Sequence, residues 1–366
     1  MIFSVKNCSP SQYGDESNEF RALSNLLRSH GDRNNLVFFD KNTIRDIINS
    51  PMFCKIDRCI AVDIFDTMSE YQQLLNLFDI IVEIDFCYSG CNIISQGDKS
   101  VIKLDTSYFN LFTSVNPVVF LAENSLDIDV YLKMGGFYVK EYGINTRITF
   151  DGRSGGGSQV KRIYDSLKNS DLFCLCIVDN DKKHPSGSEG STSAQFSIHD
   201  RGLNGKTFVK ILDVHEIECL LPLNIIETVL REENYSSEYI DNYDLLARIA
   251  RNNPELRLFL DHKNGISLKK AIELDSVYGP FYLDAFNHYN GFKNKDCISE
   301  KECSDCGNCL EVKGFGENLL KNFVKHINEV NIKALNVDKG GYPYWIEIGK
   351  LVANWGCAFP SRKARS

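Results

Sequence analysis

Three short apolar runs in this chain each end in carboxylates. Val118-Val-Phe-Leu-Ala122 leads into Glu123, with Asp127 shortly after it. Leu172-Phe-Cys-Leu-Cys-Ile-Val178 leads into Asp179-Asn180-Asp181, and Phe208-Val-Lys-Ile-Leu-Asp-Val214 leads into His215-Glu216-Ile217-Glu218. Carboxylates gathered at one place raise one another's pKa unless a cation sits between them. Oxygen ligands at loose spacing suit a hard divalent ion, so Mg2+ or Mn2+ is the expected cofactor. Such an ion would polarise a phosphoryl group and stabilise attacking and leaving oxygens. Taken singly, each acid has a plainer explanation, because turns after strands favour Asp and Asn. The shared placement on strand ends is what favours a site.

The elements that would position these acids follow from the pattern. The three runs have the length and the β-branched and aromatic content of buried strands. In a parallel α/β sheet, ligands bind at the carboxyl ends of such strands. After Glu123 the spacing predicts a helix over Leu126–Met134 stopping at Gly135-Gly136, then a strand at Phe137–Val139. Arg147–Phe150 reads as a further strand, and Gly152-Arg-Ser-Gly-Gly-Gly-Ser158 as a turn opening the helix Gln159–Leu167. A glycine-rich turn at a helix N-terminus can hold a phosphate. It also contains Gly-x-Ser-x-Gly, which allows a rival reading as a serine hydrolase using Ser154, a downstream Asp and His199 or His215. That rival leaves Glu123, Asp127, Asp179 and Asp181 without a purpose. Lys182–Ser197 is polar and rich in Gly and Ser, as expected of a mobile loop over an active face. Asn204-Gly-Lys-Thr207 is no P-loop, since Asp200 stands where the first Gly belongs and a strand follows.

At these residues a family resemblance emerges. Glu after one strand, Asp-x-Asp after a later one and a further acid downstream resemble a TOPRIM domain. Val119-Phe-Leu-Ala-Glu-Asn-Ser-Leu-Asp127 is similar to Val-Glu-Gly-x-x-Asp, and His215-Glu-Ile-Glu-Cys-Leu-Leu221 to His-x-Ile-Glu-x-x-Leu, of the OLD-like (overcoming lysogenization defect) nucleases. Within that branch the chain most resembles the TOPRIM effector of the PARIS phage-defence system. Asn124 departs from the pattern, which has Gly there, so the backbone must tolerate a side chain beside Glu123. The resemblance implies metal or acid-base roles for Glu123, Asp127, Asp179, Asp181 and Glu218, with Glu216 less well placed. It implies a nuclease acting on RNA such as tRNA, or on DNA, and an ABC-type ATPase partner that holds the effector silent. A homodimer is compatible with it. A binding module with a silent TOPRIM domain is the alternative.

The flanks suggest three parts: residues 1–116 as an α/β regulatory or docking region, 117–222 as the TOPRIM-like domain, and 223–366 as a mostly helical region. In the first part, Phe20, Leu23, Leu26 and Leu27 have helical spacing, and strands are expected at Leu36–Phe39, Cys59–Val62, Ile80–Ile84 and Val101–Leu104. Helices are expected at Asn42–Ile48 and Met68–Phe78 between them. Asp40, Asp63 and Asp85 then fall on strand ends, where turns explain them as well as a second metal centre would. The last part predicts helices at Leu223–Arg231, Tyr239–Arg251, Leu256–His262, Leu268–Ile272, Asn318–Val330 and Trp345–Trp355.

Cys297, Cys303, Cys306 and Cys309, spaced Cys-x5-Cys-x2-Cys-x2-Cys, can close a tetrahedral shell around a structural Zn2+. An iron-sulfur cluster is the alternative. The 13 cysteines and the lack of a long apolar or signal-like segment predict a reduced, cytoplasmic protein with no membrane span. A net charge of −8 argues against a nonspecific nucleic-acid coat but not against a nuclease with local basic groups such as Lys161, Arg162, Lys182, Lys183, Arg201, Lys206 and Lys210.

Overall fold

Ile2–Lys6 (β1) is buried at its first four positions and lies inside the first sheet. In the computed structural model, which describes residues 1–289, 291–292, 296–303, 307, 309–330 and 335–360, β1 pairs in parallel with β2 (Leu36–Phe38) and β3 (Ile80–Asp85). The hairpin β4 (Cys91–Gln96) and β5 (Lys99–Leu104) completes the order β2-β1-β3-β5-β4, in which only β4 is antiparallel to its neighbour. The helices α1 (Asn18–Gly31), α2 (Lys41–Asn49), α3 (Lys55–Tyr71) and α4 (Leu74–Leu77) lie between these strands in sequence.

The second sheet holds the strands that carry the acids. After β6 (Val119–Ala122) come α5 (Ser125–Glu141), β7 (Arg147–Ile148), β8 (Asp151–Ser154), α6 (Val160–Lys168), β9 (Cys174–Val178), β10 (Gly202–Asn204) and β11 (Thr207–Ile211). The order is β10-β11-β9-β6-β8, with β6 parallel to both β8 and β9, while β7 pairs apart with Cys357–Ala358. The remainder is mostly helical: α7 (Leu223–Glu232), α8 (Ser237–Asn252), α9 (Pro254–Arg257), α10 (Leu268–Tyr278), α11 (Tyr282–Phe286), α12 (Asp296–Glu300), α13 (Leu319–Glu329) and α14 (Tyr342–Gly356). A small antiparallel pair, β12 (Gly265–Ser267) and β13 (Glu311–Lys313), interrupts it. The chain is therefore α/β with mixed, parallel-rich sheets.

Two units divide these elements. The first comprises Met1–Cys176, Ile198–Lys210 and Ile348–Ser366, and the second Ile177–Ser197 and Ile211–Glu347. The expected boundary before Pro117 thus falls inside the first unit, and the one after Pro222 inside the second.

Several local expectations are corrected, each for a visible reason. Cys59–Val62 is not a strand but the middle of α3, where Asp57, Ala61, Ile64 and Tyr71 are buried at helical intervals. Asp63 therefore sits on a helix, which removes the trio of strand-end acids. β1, the strand between β2 and β3, is unexpected although Ile2, Phe3 and Val5 are apolar, because the run is short and a polar stretch follows it. α5 does not stop at Gly135-Gly136 but continues to Glu141, so Phe137–Val139 is helical. The glycines serve close packing: a Cβ at Gly135 would lie 2.6 Å from Val352 Cγ1, and one at Gly349 of α14 would lie 2.5 Å from Met134 O. Small residues let the two backbones approach at a distance no side chain would allow. The strand beside β6 is Asp151–Ser154, inside the stretch expected to be a turn. The Leu256–His262 helix is only the single turn α9.

Candidate metal centre

In the first unit the Asp127 carboxylate serves helix geometry, and the backbone of Glu123 serves a turn. Asn124 caps α5 with φ −130°, an extended conformation open to any residue, and its side chain accepts from Leu126 N–H at 3.2 Å. The departure from Gly is thus absorbed as an N-cap and needs no left-handed backbone. Asp127 Oδ2 accepts from Asn124 N–H at 2.9 Å, completing a capping box. Glu123 follows β6 directly; its carbonyl accepts from Gly156 N–H at 3.0 Å and from Ser154 Oγ–H at 3.1 Å. A serine nucleophile must hand its proton to a base, and a peptide carbonyl is none.

The second unit gathers the remaining acids. Asp179, just beyond β9, accepts from Ile217 N–H at 3.2 Å through Oδ1. Asn180 Nδ2 donates to Leu212 O at 2.9 Å, and Asp181 N–H donates to His215 O at 2.7 Å. These bonds clamp the Asp-x-Asp turn to the segment that carries His215, Glu216 and Glu218. Asp181 has φ 57°, and a Cβ on Gly190 would come within 2.2 Å of its Oδ2, so this glycine is required where the loop crosses the carboxylate. The Lys182–Ser197 loop is anchored, contrary to expectation: Tyr282 OH donates to Lys183 O at 2.6 Å, Gly190 N–H to Asn180 O at 2.9 Å, and buried His184 Nε2 lies 3.1 Å from Gly279 O.

Glu216, 5% exposed, accepts from His262 N–H at 3.2 Å and from Lys263 Nζ at 3.1 Å. Glu218, fully buried in the short 3-10 turn Ile217–Leu220, meets the same Lys263 Nζ at 2.9 Å. Its Oε2 has no hydrogen-bond donor among the described residues. Asp261 Oδ1 accepts from Lys263 N–H at 3.1 Å and Asn264 N–H at 2.7 Å, while Oδ2 faces Lys183 Nζ at 3.4 Å and His215 Nε2 at 4.0 Å. His215, Glu216 and Asp261 each bring a ligand atom within 4.8 Å of the others.

Electrostatics follow from this packing. Burial pushes Glu216 up to about 8, and Glu218 adds to the rise against the pull of Lys263. Burial disfavours the Lys263 ammonium, but Glu218 and Glu216 together outweigh it and hold the lysine above its ordinary value. Burial also raises Asp261, yet hydrogen bonds from Asn264 and the charges of Lys183 and His215 leave it below the usual carboxylate range. His215 is lowered, mainly by burial, against the opposing charges of Asp261 and Asp181. Burial brings His262 down to about 3. Three buried carboxylates thus share two ammoniums, and a divalent cation would balance the excess. The oxygen-rich donor set fits such an ion.

The helix expected over Leu256–His262 hides Asp261 and His262, and with them the neighbouring Lys263. The missed signal is the one that marks the other acids: the apolar Leu258-Phe259-Leu260 run ends in Asp261. At the cysteine loop, Cys306 lies outside the described residues. Cys297 and Cys303 are half-buried, and exposed Cys309 Sγ accepts from Lys269 N–H at 3.2 Å. The three described sulfurs do not lie within 4.8 Å of one another. No described helix is long and apolar enough to cross a membrane. No family model matches the chain, and neither a curated protein nor a solved structure does.

Proposed function

We propose that this protein is a metal-dependent nuclease of TOPRIM type with Asp179, Asp181, Glu216 and Glu218 in its acidic centre. The observation that carries the reading is the surplus of buried carboxylate: Glu216 and Glu218 share the single Lys263 ammonium, and Glu216 is driven up to about 8. A divalent cation here would polarise a phosphodiester and stabilise the attacking and leaving oxygens. Asp179 and Asp181 hold the turn at the end of β9, and Lys263 keeps Glu218 charge-balanced. A cleft of about 360 Å3 lined by Asn264, Glu238, Tyr239 and Lys313 meets the cluster at Lys263. Glu123 as general base, nucleic acid as substrate, the ATPase partner and the antiviral setting are carried by the motif resemblance alone. A structural zinc on Cys297, Cys303, Cys306 and Cys309 belongs to the same proposal, and elemental analysis of protein purified without added metal should find it.

The test is to incubate full-length protein, alone and with any ATPase encoded beside it, with tRNA, single-stranded RNA and duplex DNA in Mg2+, Mn2+ or EDTA. Cutting should require metal and fall by about a hundredfold or more in Asp179→Asn and Glu216→Gln. Cutting that survives EDTA would end the proposal. Glu123→Gln tests the proposed base separately.

One observation favours a silent module that binds nucleic acid or a partner without cleaving. Lys263 already occupies the space between Glu216 and Glu218, as a bound cation would. Under that reading binding persists in Glu216→Gln and no substrate is cut under any condition. The serine-hydrolase alternative predicts labelling of Ser154 by a fluorophosphonate; the carbonyl-bound hydroxyl argues that none occurs.

A further inference from the structure

We infer that His215, Glu216 and Asp261 form a binding site for a transition-series divalent ion that prefers Mn2+ over Mg2+, with Glu218 serving as the counter-ion of Lys263 instead of a ligand. The inference refines the cation of the proposed nuclease, but it is read by binding, so it can stand if cutting is absent.

Spacing comes first. Two donors bound at about 2.1 Å to one ion lie at most about 4.2 Å apart. All three donors fall within 4.8 Å of one another. The remaining adjustment is smaller than a side-chain rotamer change.

Burial and satisfaction come second. The three residues are 3%, 5% and 8% exposed, respectively. His215 Nδ1 has no hydrogen-bond partner among the described residues, and Nε2 stands beyond hydrogen-bond range of Asp261. A buried ring nitrogen without a hydrogen bond is costly to keep, and an ion bound by the imidazole at Nδ1 would give it a partner. The ammoniums already present need not leave the protein. Lys183 is 53% exposed and can swing into water, and Lys263 can rest on Glu218 when Glu216 turns to an ion.

Ligand chemistry decides the ion. Mg2+ takes oxygen donors and keeps its waters, whereas an imidazole nitrogen binds transition-series ions more tightly. Mn2+ accepts this mixed set and avoids the thiolates at Cys297, Cys303 and Cys309, which select softer ions.

The probe is Mn2+ itself, added to metal-stripped full-length protein and followed by electron paramagnetic resonance. One bound Mn2+ should resist a hundredfold excess of Mg2+, and its pulsed spectrum should carry a coupling to imidazole nitrogen. His215→Gln should weaken Mn2+ at least tenfold while barely changing Mg2+, and Asp261→Asn should weaken both. The nitrogen coupling is read on the unaltered protein, so a variant that fails to fold does not leave the proposal untested. Absence of retained Mn2+, a bound ion without nitrogen coupling, or equal competition by Mg2+ would overturn it. Loss of cutting with intact Mn2+ binding would count against the nuclease reading alone.

Discussion

The strand-end and turn carboxylates of the first unit are satisfied locally, whereas Glu216 and Glu218 of the second lean on one lysine. In the first, Asp85 at the end of β3 accepts from Asn7 Nδ2 at 2.8 Å and Cys87 N–H at 2.9 Å and pairs with Lys103 at 2.6 Å. Asp40 caps α2 through Asn42 and Thr43 N–H, and Asp105 accepts from Gly90 and Ser107 N–H. Burial raises each of them, but the donors outweigh it, and all three are held below the ordinary carboxylate value. In the second unit Asp261, with donors of its own, is held below as well, but at Glu216 the balance reverses and the carboxyl rises to about 8. An acid with several local donors is already satisfied as a carboxylate. Acids that must share one donor mark a place where charge is left to be neutralised.

The sharpest way to break this contrast is to remove the shared cation. Lys263→Ala strands Glu216 and Glu218 in a buried setting with no ammonium between them. Breaking a buried pair from one side costs about 3 kcal/mol or more, and urea unfolding in EDTA should find a loss of that size. Lys103→Ala leaves Asp85 with Asn7 and the Cys87 amide, so its loss should be clearly smaller. Equal losses would mean that the two units hold their acids in the same way.

Proton linkage sharpens the contrast next. Glu216 is raised from 4.5 in the unfolded chain to about 8 when folded, so the folded state holds the extra proton between those values. The slope of stability with pH has the sign of protons bound unfolded minus folded, which is negative here, so this group makes stability fall as pH rises from about 5 to 8. His30, His215, His262 and the Met1 amine are lowered on folding and push the other way over parts of that range. Subtracting the profile of Glu216→Gln removes them. The difference in EDTA should decline with rising pH by up to about 1.4 kcal/mol per unit. A flat difference would place Glu216 with the first-unit acids.

How far the sequence could be read follows from how local each signal is. The apolar runs ending at Ala122, Val178 and Val214 announce β6, β9 and β11 because a buried strand needs little beyond a continuous hydrophobic segment. The helices α7, α8 and α13 show their own 3.6-residue period. What failed depends on distant partners. Gly135 of α5 reads as a stop because its purpose, close packing against Val352, lies more than two hundred residues away in sequence. β1 carries strand-forming Ile2, Phe3 and Val5, but five residues ahead of a polar stretch give no period to read, and its place between β2 and β3 comes from distant pairing. Around His215, the sequence singles out Asp179, Asp181 and Glu218 as acids after apolar runs, but not Asp261 and Lys263. Their role exists only because His215 N–H donates to Leu258 O at 2.9 Å and so brings that segment alongside.

The smallest effect tests a first-unit residue on which motif and geometry disagree. Asp127 belongs to the acid set by resemblance, but in the first unit its carboxylate closes a capping box with Asn124. Loss of such a cap costs about 1 kcal/mol, so Asp127→Ala should lower stability by that amount. Asp127→Asn keeps an acceptor at the same place and should recover most of it. If the carboxylate only caps α5, Asp127→Asn leaves metal-dependent cutting unchanged while Asp179→Asn abolishes it. If Asp127→Asn abolishes cutting at an unchanged melting temperature, a well-hydrogen-bonded acid can still be a functional one. Donor count would then cease to separate turn acids from site acids, and the difference between the two units would lose its meaning.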